Sequence, residues 1–200
     1  MTKGKLTRDK ILQKGMEFAS SYGLLNVSIG AIAKTAQMSR SGVIAHFSDK
    51  EDMQITILQY TEEMFVEKVI KKSYTQLPLE NLHNLKHNWL GWVNHLDFEN
   101  TSSCPFIKAV FEYKDRDECS IKAFMKDQQQ RLLNYLATLI ERCVISGDFI
   151  QNTDVQMFAY EFYSLYIGHS VLSLLEAKDL AEQRFLAIAN QLINRHLSEK

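Results

Sequence analysis

Proline and glycine are scarce. Only Pro78 and Pro105 occur in 200 residues, and the eight glycines stand singly. That excludes a phosphate-cradling glycine loop, which needs such residues at fixed places. Cysteine is limited to Cys104, Cys119 and Cys143, an odd number without CxxC spacing. No disulfide framework is expected, and such thiols belong to a reducing compartment. No apolar run nears the roughly 18 residues that a membrane span requires. The opening MTKGKLTRDKI has no apolar stretch behind its basic residues, which excludes a signal peptide. A cytoplasmic protein without membrane contact is therefore expected. HExxH, GxSxG and dinucleotide fingerprints are missing too. His83 and His87 stand four apart, and Glu80-x-x-His83 is half of a di-iron site, but the second Glu-x-x-His is absent. The expectation is no enzyme, no cofactor and no metal; bound-metal content would decide against the enzyme reading.

What the chain does have is the balance of a folded globular protein, 46% hydrophobic and 24% charged. It is long enough to bury a core without covalent staples. Helical periodicity runs nearly throughout and no period-two stretch occurs, so the fold class is all-α with about nine helices. The first, over about 7–22, puts Ile11, Leu12, Gly15, Phe18, Ala19 and Tyr22 on one face and meets a C-terminal cap at Gly23. Ser28 and Ser39 are N-caps for a short second and third helix, and Ser48 with Glu51 reads as a capping box for a long fourth. A helix carrying Trp89 and Trp92 is expected over 79–97, a short one from Pro105 to Tyr113, and a long one over 118–146 ending at Gly147. Thr153 with Gln156 and Asp179 with Glu182 open the last two, to about 176 and 197.

Charge is unevenly spread. Residues 1–50 carry Lys3, Lys5, Arg8, Lys10, Lys14, Lys34, Arg40 and Lys50 against Asp9, Glu17 and Asp49, a net of +5. The whole chain carries −1, so the other 150 residues carry −6. A basic head on an acidic body points to an anionic partner for the head alone. Within that head the second and third helices are about two turns each, too short to be stable alone. Ile32, Ala33, Met38, Val43 and Phe47 supply their core, and Ala36-Gln37-Met38 joins them. The third helix then exposes Arg40, Ser41, Gly42, Ile44, Ala45 and His46. A slim helix with a basic first residue suits a major groove about 12 Å wide.

The run TRDKILQKGMEFASSYGLLNVSIGAIAKTAQMSRSGVIAHFSDKEDM, residues 7–53, resembles the DNA-binding domain of the tetracycline-repressor (TetR)/AcrR family of transcriptional regulators. Thr7-Arg8, Phe18, Gly23, Ser28, Ile32-Ala33, Ala36, Ser39, His46-Phe47 and Lys50-Glu51 carry the likeness. It implies a helix-turn-helix at about 28–47 in a DNA-binding domain of residues 1–50, and a ligand-binding and dimerisation domain over 51–200. It further implies phosphate contacts from Ser28, His46 and Lys50, and a base contact from Arg40, whose fork fits guanine O6 and N7. On the same resemblance Ser41 and Gly42 are expected against the groove and Ile44 at a thymine methyl, with Lys34 and Ser39 completing the DNA-facing set. Two departures stand out: Gln37 replaces the glycine usual in the turn, and Ile44 and Ala45 stand where tyrosines are frequent.

The last two helices are apolar over wide faces: Val155, Phe158, Ala159, Phe162, Leu165, Tyr166, His169 and Leu172 on one, and Phe185, Ile188, Ala189, Leu192, Ile193 and His196 on the other. The resemblance implies a homodimer through this pair, matched to a pseudo-palindromic operator in double-stranded DNA. Aromatic residues of the body suit a pocket for a small lipophilic or aromatic effector, with His87, Trp89, Trp92, Cys104, Phe106, Phe111, Tyr113, Phe162, Tyr163, Tyr166 and His169 as its lining. The expected function is a repressor released from its operator by that ligand. A helical adaptor for another protein is the second rival; it leaves the +5 head unexplained, and salt-sensitive duplex binding separates the two.

Overall fold

The computed structural model describes residues 3–96, 98 and 103–199; the polar run Glu99-Asn100-Thr101-Ser102 lies outside them. Nine α-helices form among the described residues: α1 (Lys3–Tyr22), α2 (Ile29–Thr35), α3 (Arg40–Ile44), α4 (Lys50–Phe65), α5 (Pro78–Trp89), α6 (Pro105–Tyr113), α7 (Ser120–Ile145), α8 (Val155–Leu172) and α9 (Lys178–Asn194). Short 3-10 turns cover Leu24–Asn26 and Trp92–His95, and α4 runs on into a π-helical segment, Val66–Lys71. The all-α expectation holds.

Helix starts follow local capping chemistry, at times one residue from where the sequence suggests. Asp49, not Ser48, caps α4: its Oδ1 accepts from Asp52 N at 2.8 Å, and Asp52 Oδ2 accepts from Ser48 N at 2.8 Å. A carboxylate at a helix N-terminus meets the positive end of the dipole and outcompetes a hydroxyl. The same reason moves the α8 cap from Thr153 to Asp154, whose Oδ1 accepts from Gln156 N and Met157 N at 3.1 and 2.9 Å. At α9 the Asp179–Glu182 box does not form; Ala177 precedes the helix without a side-chain cap. The helix expected over 79–97 stops at Trp89, because Leu90 is extended and Gly91 takes a φ of 65° that a helix cannot continue through.

The chain divides into two compact units: Met1–Phe65 with Val93–Gln128, and Val66–Trp92 with Gln129–Lys200. In the first, α1 packs on α2, α4 and α6 around Ile11, Met16, Ile32, Val43, Met53 and Ile57, all buried. Gly15 lets α1 and α4 approach closely: a Cβ there would lie 2.5 Å from Ile57 Cδ1. In the second, α8 packs along α9 and α5 meets α9. Trp89 there touches the rings of Tyr166, Tyr163 and Phe162 at 4.6, 5.9 and 6.1 Å. All three cysteines are free, and burial pushes the Cys143 thiol up to about 12, which leaves it inert.

Candidate functional site

The second and third helices are made by their caps. Ser28 Oγ accepts from Ala31 N at 3.2 Å and Ser39 Oγ accepts from Gly42 N at 3.0 Å, so each hydroxyl satisfies an otherwise orphan first-turn donor. Between them, Met38 N donates to Ala33 O at 2.8 Å and Gln37 N to Lys34 O at 3.2 Å. That double closure is a Schellman turn, which demands a left-handed residue at the position Gln37 occupies. Gln37 has a φ of 55°, and it is the one non-glycine with positive φ among the described residues. A glutamine there costs about 1–2 kcal/mol relative to an unstrained backbone. Gln37 thus keeps the turn of the glycine it replaces and bears its strain.

The turn presents α3 with Val43 buried beneath it and Arg40, Ser41, Ile44 and Ala45 exposed. Ile44 is 55% exposed, an apolar side chain held in water at the tip of a five-residue helix. The Arg40 guanidinium lies over Gly30 of α2, its Nη2, Nε and Cζ 3.4–3.6 Å from where a Cβ would stand. Gly42 is half-buried, and a Cβ on it would sit 3.1 Å from Ser39 Oγ, so this glycine protects the cap as well as thinning the helix. Lys34, Ser39 and Lys50 are exposed; Ser28 and His46 are half-buried. Lys50 Nζ reaches Leu25 O at 3.4 Å. Every residue singled out for the head therefore lies on or beside α2, α3 and the start of α4.

Arg8 is the residue that sequence reasoning left without a role. Its Nη1 donates to His46 O at 2.6 Å, and its guanidinium stands 5.1 Å from the centre of the Phe47 ring. Arg8 thereby fastens the end of α3 to α1, across 38 residues that no local pattern connects.

The residues expected to line a pocket are distributed over both units. Cys104, Phe106 and Tyr113 are buried in the first, where Phe111 is 51% exposed. Trp89, Trp92, Phe162, Tyr163 and Tyr166 are buried in the second, and the Tyr163 hydroxyl donates to Gln129 Oε1. His87 is exposed on α5. His169 turns instead to a groove of about 330 Å³ between α8 and α9, lined with Leu165, Gly168, Leu172, Phe185 and Ile188. Its ring lies 5.2 Å from that of Phe185, and burial holds its pKa below the ordinary imidazole range. No group of three or more His, Cys, Asp or Glu placed to hold a metal ion occurs among the described residues. His83 Nδ1 instead accepts from Lys86 Nζ at 2.8 Å. No described helix is long and apolar enough to cross a membrane.

Two family models match the chain: one for bacterial regulatory proteins of the tetR family over residues 11–55, and one for the tetracyclin repressor-like C-terminal domain over residues 78–189. A TetR-family transcriptional regulator from Cytophaga hutchinsonii superposes with a TM-score of 0.86 at 16% identity, over 100% of this chain and 99% of that one. A TetR regulator from Chloroflexus aurantiacus J-10-FL gives 0.85 at 14%, over 98% of each chain. AibR, solved in complex with isovaleryl coenzyme A and operator DNA, gives 0.66 at 16%, over 96% of this chain and 98% of that one. Identities this low establish a shared fold. No curated protein sequence matches the chain.

Proposed function

Since the chain belongs to the tetR family of bacterial regulatory proteins, we propose that it is a cytoplasmic, homodimeric repressor that a small lipophilic or aromatic ligand releases from its operator. Its DNA-binding domain is residues 1–50 and its regulatory domain residues 51–200. The observation that carries this reading is α3 itself: a serine-capped helix of five residues whose Arg40, Ser41 and Ile44 stand exposed. In the proposed complex Arg40 reads a base edge, Ile44 meets a thymine methyl, Ser41 and Gly42 approach the groove, and Ser28, Lys34, Ser39, His46 and Lys50 face the phosphate backbone.

Dimerisation is assigned to α8 and α9. Tyr160 and Leu172, 65% and 60% exposed, belong with Met157, Val171, Leu180 and Ile188 to an apolar surface that one copy leaves in water. A symmetric pair buries it and sets two copies of α3 against two half-sites. The effector site is assigned to the aromatic cluster around Trp89, Phe162, Tyr163 and Tyr166. Ring faces with few polar atoms among them suit a flat, lipophilic molecule. AibR provides a parallel in its fold: its structure holds both an acyl coenzyme A and operator DNA.

The test is binding of duplexes recovered from random sequence or from genomic fragments. The expected result is salt-sensitive binding by a dimer, weakened about tenfold or more by Arg40→Ala without loss of folding. A monomeric chain indifferent to every duplex at low salt sinks the proposal and favours the adaptor.

A further inference from the structure

The path from α1 to α2 turns sharply, and the groups that hold the turn come from far along the chain. At the C-terminal end of α1 the carbonyls of Ser20 and Ser21 both accept from Lys108 Nζ of α6, at 2.6 and 2.8 Å. An ammonium on the last carbonyls of a helix completes their hydrogen bonding and meets the negative end of the dipole. One turn further along α6, Glu112 Oε2 accepts from Leu25 N at 3.1 Å, beyond the corner. Lys108 and Glu112 are four apart and share one face of α6, so a single helix grips the chain on both sides of the bend.

Gly23 is what lets the second grip close. Its φ is 88°, and a Cβ on it would lie 1.8 Å from Glu112 Oε1, inside the carboxylate itself. From the other side, Gln54 Nε2 of α4 donates to Leu24 O and Val27 O at 2.7 and 3.2 Å. The four residues Leu24–Val27 are thus held by side chains of α4 and α6, and Ser28 follows immediately as the cap of α2. Burial lowers the pKa of Lys108, while Glu112 opposes that shift. The contact is half-buried.

We propose that Lys108 and Glu112 are positioning residues for DNA recognition: together they fix the direction in which α2, and with it α3, leaves α1. The inference rests on the DNA-binding reading above. It makes α6, which lies within the stretch matched by the C-terminal family model, a working part of the head, in whose compact unit it packs.

The experiment first enriches a duplex from random sequence with the wild-type protein, then measures binding of that duplex and of a scrambled one by fluorescence anisotropy. Lys108→Met and Glu112→Ala are expected to weaken the enriched duplex about tenfold each and the scrambled one by less than about twofold, because aim is lost while charge on the DNA-facing surface is kept. Lys108→Arg and Glu112→Gln keep the donor and the acceptor, and should recover most of the affinity. Amide exchange at residues 24–28 should quicken in the two disruptive variants only. Unchanged affinity in both, or equal losses on the two duplexes with a collapse in melting temperature, overturns the proposal, the latter outcome assigning the pair to general stability. Failure of the wild-type protein to enrich any duplex overturns the DNA-binding reading itself, and the inference with it, before a variant is made.

Discussion

In the helix-turn-helix, α3 is five residues long and is held by a serine cap, a strained turn at Gln37 and the Arg8 bond to His46 O. In the second compact unit, by contrast, Trp89 alone meets three aromatic rings, and α8 lies along α9 with Phe158, Phe162, Phe185 and Ile193 buried. The first region adds directional polar bonds to backbone groups to its small apolar core, whereas the second rests on apolar area. Directional bonds contribute little each but fix angles, whereas apolar burial contributes much and fixes angles loosely. A surface that must meet a partner in one orientation is better served by the first arrangement, and a subunit core by the second.

The contrast can be broken most forcefully at Trp89. Replacing it by alanine should cost about 3–5 kcal/mol, since three rings lose their partner and a cavity remains. Chemical denaturation would measure the loss, and a cost below about 1 kcal/mol would mean that the ring cluster collapses freely. Ser39→Ala in the head should cost only about 1 kcal/mol in the same assay. It should nevertheless loosen the first turn of α3, seen as faster amide exchange at Gly42. Gln37→Gly runs the other way. Relief of the left-handed strain, less the added freedom of the unfolded chain, should raise stability by about 0.5–1 kcal/mol. A destabilised Gln37→Gly would show that the glutamine side chain makes a compensating contact.

The smallest expected effect is that of pH. His83, His87, His169 and His196 all titrate below the ordinary imidazole range, first because lost hydration, partial at the exposed His87, disfavours their charged forms. The unfolded chain takes up these protons near pH 6.5 and the folded one only below it. Their contribution is therefore complete above about 6.5 and is lost as pH falls through the lower, folded values. All four belong to the second unit, as do both tryptophans, so intrinsic fluorescence should report a melting temperature that drops by a few degrees between neutral pH and about 5. A melting temperature flat over that range would contradict the shifts.

Much of this architecture was legible from residue order because it is local. Ser28 and Ser39 cap α2 and α3 as their types demand, Pro105 starts α6, and Gly147 ends α7 with a φ of 77°. Where the reading slipped, a stronger neighbour won: Asp49 over Ser48, Asp154 over Thr153, and Gly91 over the apolar spacing that carried the fifth helix through Trp92. The candidate site was legible to the extent that it is one continuous segment. Arg8 on His46, Lys108 on Ser20 and Ser21, and Glu112 on Leu25 were not, because each joins residues 38 to 88 apart and no periodicity encodes the pairing. The ring cluster was foreseen in its members but not in its grouping, which depends on how α5 packs.

The place where Arg40 lies has a consequence of its own. A long cationic side chain in water samples many rotamers, and freezing it on a target discards that freedom. Spread across the bare backbone of Gly30, the guanidinium has already surrendered part of it. Position 30 thus acts as a saddle, and its emptiness sets how much disorder the arginine still has to lose when it engages.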